Sequence, residues 1–205
     1  MTLRSSTLLL AALATAASVA VPTVAAADGM YVGVAGTLAH TKVDTTSLQA
    51  AGFSGSVTEW GVGGTVFVGS TLSELGGGSA LAAEVGYLSS KAASRDMTYL
   101  GGPVTGDINV SGLTAAVLYR FASGMFLKVG AASITAKESL EAPAAGLSST
   151  DSTKSTSPLW GIGFDWMANQ QFGVRLEIGG LTAVKDSFDT NNTVSLANLG
   201  LLFRF

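Results

Sequence analysis

Eight segments of this chain alternate, residue by residue, between large apolar side chains and small or charged ones, and nothing else in the sequence constrains the fold as tightly. They run from Met30 to Thr41, Glu59 to Gly69, Ala80 to Ser89, Ile108 to Phe121, Met125 to Thr135, Leu159 to Met167, Gly173 to Thr182 and Thr193 to Phe205. A period of two is the period of a β-strand, whose successive side chains point to opposite faces. In the sixth run Trp160, Ile162, Phe164 and Trp166 share one face while Gly161, Gly163 and Asp165 share the other. In the seventh, Phe172, Val174, Leu176 and Ile178 oppose Arg175, Glu177 and Gly179. The third sets Leu81, Ala83, Val85 and Tyr87 against Ala82, Glu84 and Gly86, and the fourth sets Leu113, Ala115, Val117, Tyr119 and Phe121 against Thr114, Ala116, Leu118 and Arg120.

A soluble barrel turns its apolar face inward and shows water a polar one. Here the second face is mostly Gly and Ala with about one charge per strand, and the whole chain carries 26 glycines and only 12% charged residues. Soluble domains average about 25% charged, and glycine weakens an exposed strand without giving it anything to pack. Turned inside out, the pattern is consistent: the apolar face meets lipid and the small face lines a narrow lumen. The length of the runs agrees, since a tilted strand needs about 9–11 residues to cross a bilayer. Trp60, Tyr87 and Trp160 lie towards one end of the apolar stripes and Tyr119, Phe121, Trp166 and Phe172 towards the other, where interfacial aromatic girdles belong.

The connections alternate in length. Thr71 to Gly78, Ala122 to Gly124 and Ala168 to Gln171 are short, whereas Lys42 to Thr58, Ser90 to Asp107, Ala136 to Pro158 and Ala183 to Asn192 are long. Short turns on one side and long loops on the other are the asymmetry of an outer-membrane barrel. The expected fold is all-β: an eight-stranded, antiparallel, up-and-down transmembrane barrel whose first and last strands pair, because a sheet in lipid must close. Both ends of the barrel then lie on the short-turn, periplasmic side. The Ser/Thr-rich stretch, eight of the ten residues from Ser148 to Ser157, reads as a solvated surface loop.

Residues 1–27 read as a secretory signal: Arg4, a 14-residue apolar run from Leu8 to Val21, then Thr23-Val24-Ala25-Ala26-Ala27, with cleavage expected after Ala27. The run is short of the ~20 apolar residues of a membrane-spanning helix. Residues 28–205 form the expected barrel domain. With no Cys, disulfides and thiolate metal sites are excluded, and a single His leaves little for zinc, so no metal or cofactor is expected. A pI near 5.0 offers no footprint for nucleic acid. Gly61-Val62-Gly63-Gly64 and Gly161-Ile162-Gly163 precede no helix N-terminus, which a phosphate-binding loop requires.

Ser157-Pro158-Leu159-Trp160-Gly161-Ile162-Gly163-Phe164-Asp165-Trp166, Val174-Arg175-Leu176-Glu177 and the terminal Phe203-Arg204-Phe205 resemble the eight-stranded outer-membrane β-barrel family that includes the transmembrane domain of outer membrane protein A and porin-like barrels. Ala83-Glu84-Val85-Gly86-Tyr87 and Met30-Tyr31-Val32-Gly33 are similar to its third and first strands. The resemblance implies location in the bacterial outer membrane, among lipids and lipopolysaccharide. It also implies that Leu201, Phe203 and Phe205 are read by the assembly machinery. It places Glu84 at a gating carboxylate position, with Ala116 where the family often has Lys. The larger members' peptidoglycan-binding domain has no counterpart here.

Glu84, Arg120, Lys128, Asp165, Arg175, Glu177 and Arg204 fall on the lumen face. An eight-stranded interior is just wide enough for side chains to fill, and an unpaired charge there is costly, so these residues are expected to form a paired polar plug. Asp165 and Arg175, on adjacent strands of one hairpin, are the expected direct pair. The sharper reading is a gated ion path; the plug predicts negligible steady conductance. The expected role is structural or surface-interactive, exercised by a monomer through four external loops that offer a site for an external ligand. Two alternatives stand beside it: a soluble periplasmic lipocalin-like carrier, and a lipid A-modifying enzyme using His40 to activate a Ser. No Ser and acid are spaced to flank His40, so no catalytic residue is expected.

Overall fold

The computed structural model describes residues 29–41, 54–99, 102–143, 147–185 and 191–205. The expected signal segment and its cleavage point lie outside them. Nine strands appear: β1 (Met30–Thr41), β2 (Ser54–Thr58), β3 (Trp60–Gly76), β4 (Ser79–Tyr99), β5 (Gly102–Arg120), β6 (Met125–Ala142), β7 (Leu147–Met167), β8 (Phe172–Lys185) and β9 (Asn191–Arg204). Every pairing is antiparallel, and β4–β5 and β1–β9 pairings close the ring. The short β2 extends the line of β3 and pairs with the far end of β4, so the closed barrel has eight strands.

The register fixes the barrel's shape. From Tyr31 the pairing passes strand by strand to Gly69, then Glu84, Ala116, Gly130, Leu159, Leu181 and Val194, each paired with the next. Its direct partner across the closure is Arg204, ten residues further along β9 than Val194. With strands ~4.8 Å apart and ~3.3 Å per residue, eight strands staggered by ten give a tilt of about 40° and a backbone radius of about 8 Å. Each residue then climbs roughly 2.5 Å along the barrel axis.

The lower halves of the strands are apolar outside. Trp160, Ile162, Phe164 and Trp166 on β7 and Phe172, Leu176 and Ile178 on β8 are exposed, while Asp165, Arg175 and Glu177 are buried within. Higher up, the alternation changes sign. On β7 the exposed positions become Thr156, Lys154 and Ser152; on β6, Ser133 and Lys137 replace Leu127 and Val129; on β5, Asn109 follows Leu113; on β4, Ser89 follows Tyr87. Meanwhile Leu88, Val110, Ile134, Leu159, Leu181, Val194 and Leu196 fill the interior at that level. The exterior apolar stripe on β7, Trp166 to Pro158, is roughly 20 Å tall, close to the ~25 Å band of outer-membrane barrels.

The strands are longer than the alternation alone indicates. The expected loop from Ser90 to Asp107 is mostly the paired ends of β4 and β5, from Lys91↔Asn109 to Tyr99↔Gly102. The expected loop from Ala136 to Pro158, read as a solvated stretch, is mostly a ladder between β6 and β7, from Ala136↔Thr153 to Ala142↔Leu147. Ser and Thr, with β-branched Thr favourable in strands, hold this ladder without an apolar stripe to announce it. Thr71 to Gly78 also shrinks to a tight turn, where Gly76, Gly77 and Gly78 all adopt positive φ. One-residue shifts at Lys91/Ala93 and at Leu181/Val184 sit near the level where the alternation inverts.

Candidate functional site: the charged lower lumen

The ring closure aims five inward charges, from four strands, at one level. Glu84 rises from β4, Lys128 from β6, Asp165 from β7, and Arg175 and Glu177 from β8, and all five are buried. Arg175, 1% exposed, donates from Nε and Nη2 to both oxygens of Asp165, at 2.7 and 3.0 Å, and from Nη1 to Glu84 at 2.6 Å. The sequence-expected Asp165–Arg175 pair is thus present in fork geometry, the strong form of an Arg–carboxylate contact. Lys128 Nζ donates to Glu84 at 2.6 Å and to Glu177 Oε2 at 3.2 Å. Asn198 reaches Glu177 at 3.4 Å and accepts from Thr37 at 2.7 Å.

Glu84 therefore has two basic partners, neither from its neighbour on β5. Ala116 sits directly opposite Glu84, and the cations come from the next strand, β6, and from across the lumen. An adjacent-strand search stops at Ala116. The inward parity of Lys128, which the sequence does carry, is the signal that finds it.

Three rings, Tyr31, Phe67 and Phe126, point into the lumen rather than to lipid. The Arg175 guanidinium lies 5.5, 4.5 and 4.6 Å from their ring centres, within cation–π range. Each ring lies over a glycine paired with it across the ladder: Tyr31 over Gly69, Phe67 over Gly33 and Phe126 over Gly163. A Cβ at Gly69 or Gly33 would fall inside the opposing ring. The lumen glycines are seats for rings that cage a cation, and the pairing of an inward aromatic with a facing glycine is the sequence signal. Tyr31 also donates to Glu84 at 3.3 Å.

Below this network, Arg120 lies 4.1 Å over the Tyr31 ring, with Nη2 3.2 Å from Asp165 but without the alignment of a hydrogen bond. Arg204 is the paired neighbour of Tyr31. Above it, Leu88, Leu159, Leu181 and Leu196 close the lumen with apolar side chains.

On the outside, Trp60, Tyr87, Tyr119, Phe121, Trp160, Trp166 and Phe172 are all exposed. Tyr119 packs edge-on against Phe121, and Phe203 against both Phe172 and Phe205, towards the short-turn end. Leu201 on β9 and Phe205 just beyond it are exposed. His40 is on the outer wall too, 3.3 Å from Glu59 and with its ring tilted against Trp60 at 4.6 Å.

An antiparallel ring of eight strands, apolar outside and ionic within, decides the class together with one comparison: the model of the outer membrane protein β-barrel domain matches residues 7–205. The chain belongs to the outer-membrane β-barrel family. It is an outer-membrane protein. No curated protein matches the chain in sequence. Solved barrels share the fold at low identity. Ail, the attachment invasion locus protein of Yersinia pestis, is 13% identical with a TM-score of 0.56, covering 87% of this chain and 100% of Ail. OprG of Pseudomonas aeruginosa is 14% identical with a TM-score of 0.50, covering 88% of this chain and 97% of OprG. Ail is also solved in complex with the heparin analogue sucrose octasulfate, at 12% identity, a TM-score of 0.54, and coverage of 87% and 100%. At such identities these relatives establish the barrel architecture alone.

Proposed function

We propose that this barrel is a closed, non-enzymatic scaffold that supports the envelope and presents a rigid external sheet to partners outside the cell. The observation that carries this reading is the rise of β4, β5, β6 and β7 past the level where the exterior turns polar. At that height they form one continuous ladder, edged by β2. Binding residues concentrate on segments held by a rigid scaffold, and the outward face here is polar, with Ser, Thr and Lys side chains beside Asn109, Asp107 and Glu141. The Ail complex with a heparin analogue supports an external ligand for this architecture.

The chain acts as a monomer, delivered by a signal segment cleaved after Ala27. Leu201, Phe203 and Phe205 serve as its assembly signal, the outward aromatics anchor both interfaces, and the lumen charges serve as a plug. Planar bilayers containing the protein show no steady current; a stable open channel of porin size overturns the plug. His40→Ala leaves lipid A acylation unchanged, and an altered acylation pattern revives the enzyme. The scaffold itself is tested by replacing residues 137–154 with a short turn. Cells carrying this form retain envelope impermeability but lose adhesion to host-type matrix, and undiminished adhesion sinks the external sheet as the binding element.

A further inference from the structure

The geometry points to an anion-binding site at the periplasmic mouth of the lumen, formed by Arg120 and Arg204 and suited to a phosphate-class oxyanion. Among the described residues, four cations and three carboxylates face the lower lumen, and the carboxylates are already engaged above the mouth: Glu84 by Arg175 and Lys128, Asp165 by Arg175 in a fork, Glu177 by Lys128 and Asn198. One positive charge is left over. It is at the mouth, because among the described residues Arg204 makes no ion pair, and Arg120 reaches Asp165 only as a second, misaligned cation behind Arg175.

The donors are oriented and unused. Nε of Arg120 and Nε of Arg204 are shielded from solvent and have no hydrogen-bond partner among the described residues. A buried guanidinium donor left unpaired is costly, so two of them at one level are a standing demand for an acceptor. The two residues come from strands half-way round the ring from each other, β5 and β9, and occupy matching places in Leu118-Tyr119-Arg120-Phe121 and Leu202-Phe203-Arg204-Phe205. Both converge on Tyr31: Arg120 stacks on its ring and Arg204 is its neighbour in the ladder. Each lies in the other's electrostatic field. Like charges brought together across a lumen of about 8 Å backbone radius are held apart at a cost that an anion between them removes. Two guanidinium groups suit an oxyanion with several acceptor oxygens. The apolar side chains above make the site a dead end open only to the periplasm, so its occupant is a soluble phosphate or the phosphate of an inner-leaflet lipid headgroup.

The test uses the refolded full-length barrel in phosphate-free maltoside micelles at constant ionic strength, titrated calorimetrically with sodium phosphate. The expected result is saturable binding of one phosphate per barrel, weakened about tenfold or more by Arg204→Gln, as loss of a charge-assisted hydrogen bond requires. Lys91→Gln, on the outer wall, leaves it unchanged. Arg204→Lys, which keeps the charge but not Nε, binds with intermediate strength and guards against a folding defect in the Gln form. A second arm adds phosphatidylglycerol to the micelles: Arg204-dependent binding of that lipid without binding of free phosphate assigns the site to a headgroup. Equal phosphate affinity in wild type and Arg204→Gln, or no Arg204-dependent binding in either arm, overturns the site.

Discussion

Along β4 to β7 the barrel is apolar outside and ionic inside below the level of Trp160; above it, the outside is polar and the inside is Leu, Val and Ile. The two regions share strands, twist and register, so the difference isolates what the surroundings demand. In lipid, burying an apolar side chain in the lumen gains nothing over leaving it against acyl chains, so the lower interior is held by charge pairs and cation–π contacts that need a dry, closed ring. Above the lipid, water restores the hydrophobic drive, and the upper interior is packed as a soluble β-protein's would be. The lumen is closed twice, by two kinds of physics.

The largest test of that contrast is Arg175→Ala. It strips Asp165 of its fork and Glu84 of one of its two cations, and should cost about 4 kcal/mol, the scale for breaking a buried ion pair from one side, read by urea unfolding in micelles. A loss below about 1 kcal/mol would mean the lower half stands without its ionic network. Leu176→Arg, on the lipid face near mid-band, should cost about 3 kcal/mol, whereas Thr150→Arg on the upper outer face should fall within about 0.5 kcal/mol of wild type. Equal costs at the two positions would erase the boundary between the regions. Leu181→Ala in the upper core should lose about 2–3 kcal/mol through the cavity it leaves. Gly69→Ala, which drives a methyl into the Tyr31 ring, should cost about 1–2 kcal/mol and shift Tyr31 fluorescence more than unfolding midpoint.

The inside-out lower half was legible because each lower strand alternates strictly, and that parity alone sorts Asp165, Arg175 and Glu177 to the lumen. Strand ends were not, because the sign of the alternation flips where lipid ends. Thr156, Lys154 and Ser152 continue the outward line of Trp160 and Trp166, but as polar residues they look like a loop. The Glu84–Lys128 contact skips a strand and depends on a ten-residue stagger that no single run contains. Tyr31, Phe67 and Phe126 were hidden by their type: a ring facing the lumen makes sense only beside Gly69, Gly33 or Gly163, and those pairs are set by register between strands.

β4 to β7 stand roughly 15 Å taller than the described ends of β1, β8 and β9, and over that height β7 is laddered to β6 but pairs with β8 only from Leu159 downward. The rim of the barrel is therefore a parapet raised on one flank. A partner arriving from outside finds its docking surface already ordered by main-chain hydrogen bonds, and forfeits little conformational freedom of the receptor on contact. It also finds that surface turned to one side, so approach along the cell surface from that flank differs from approach from above.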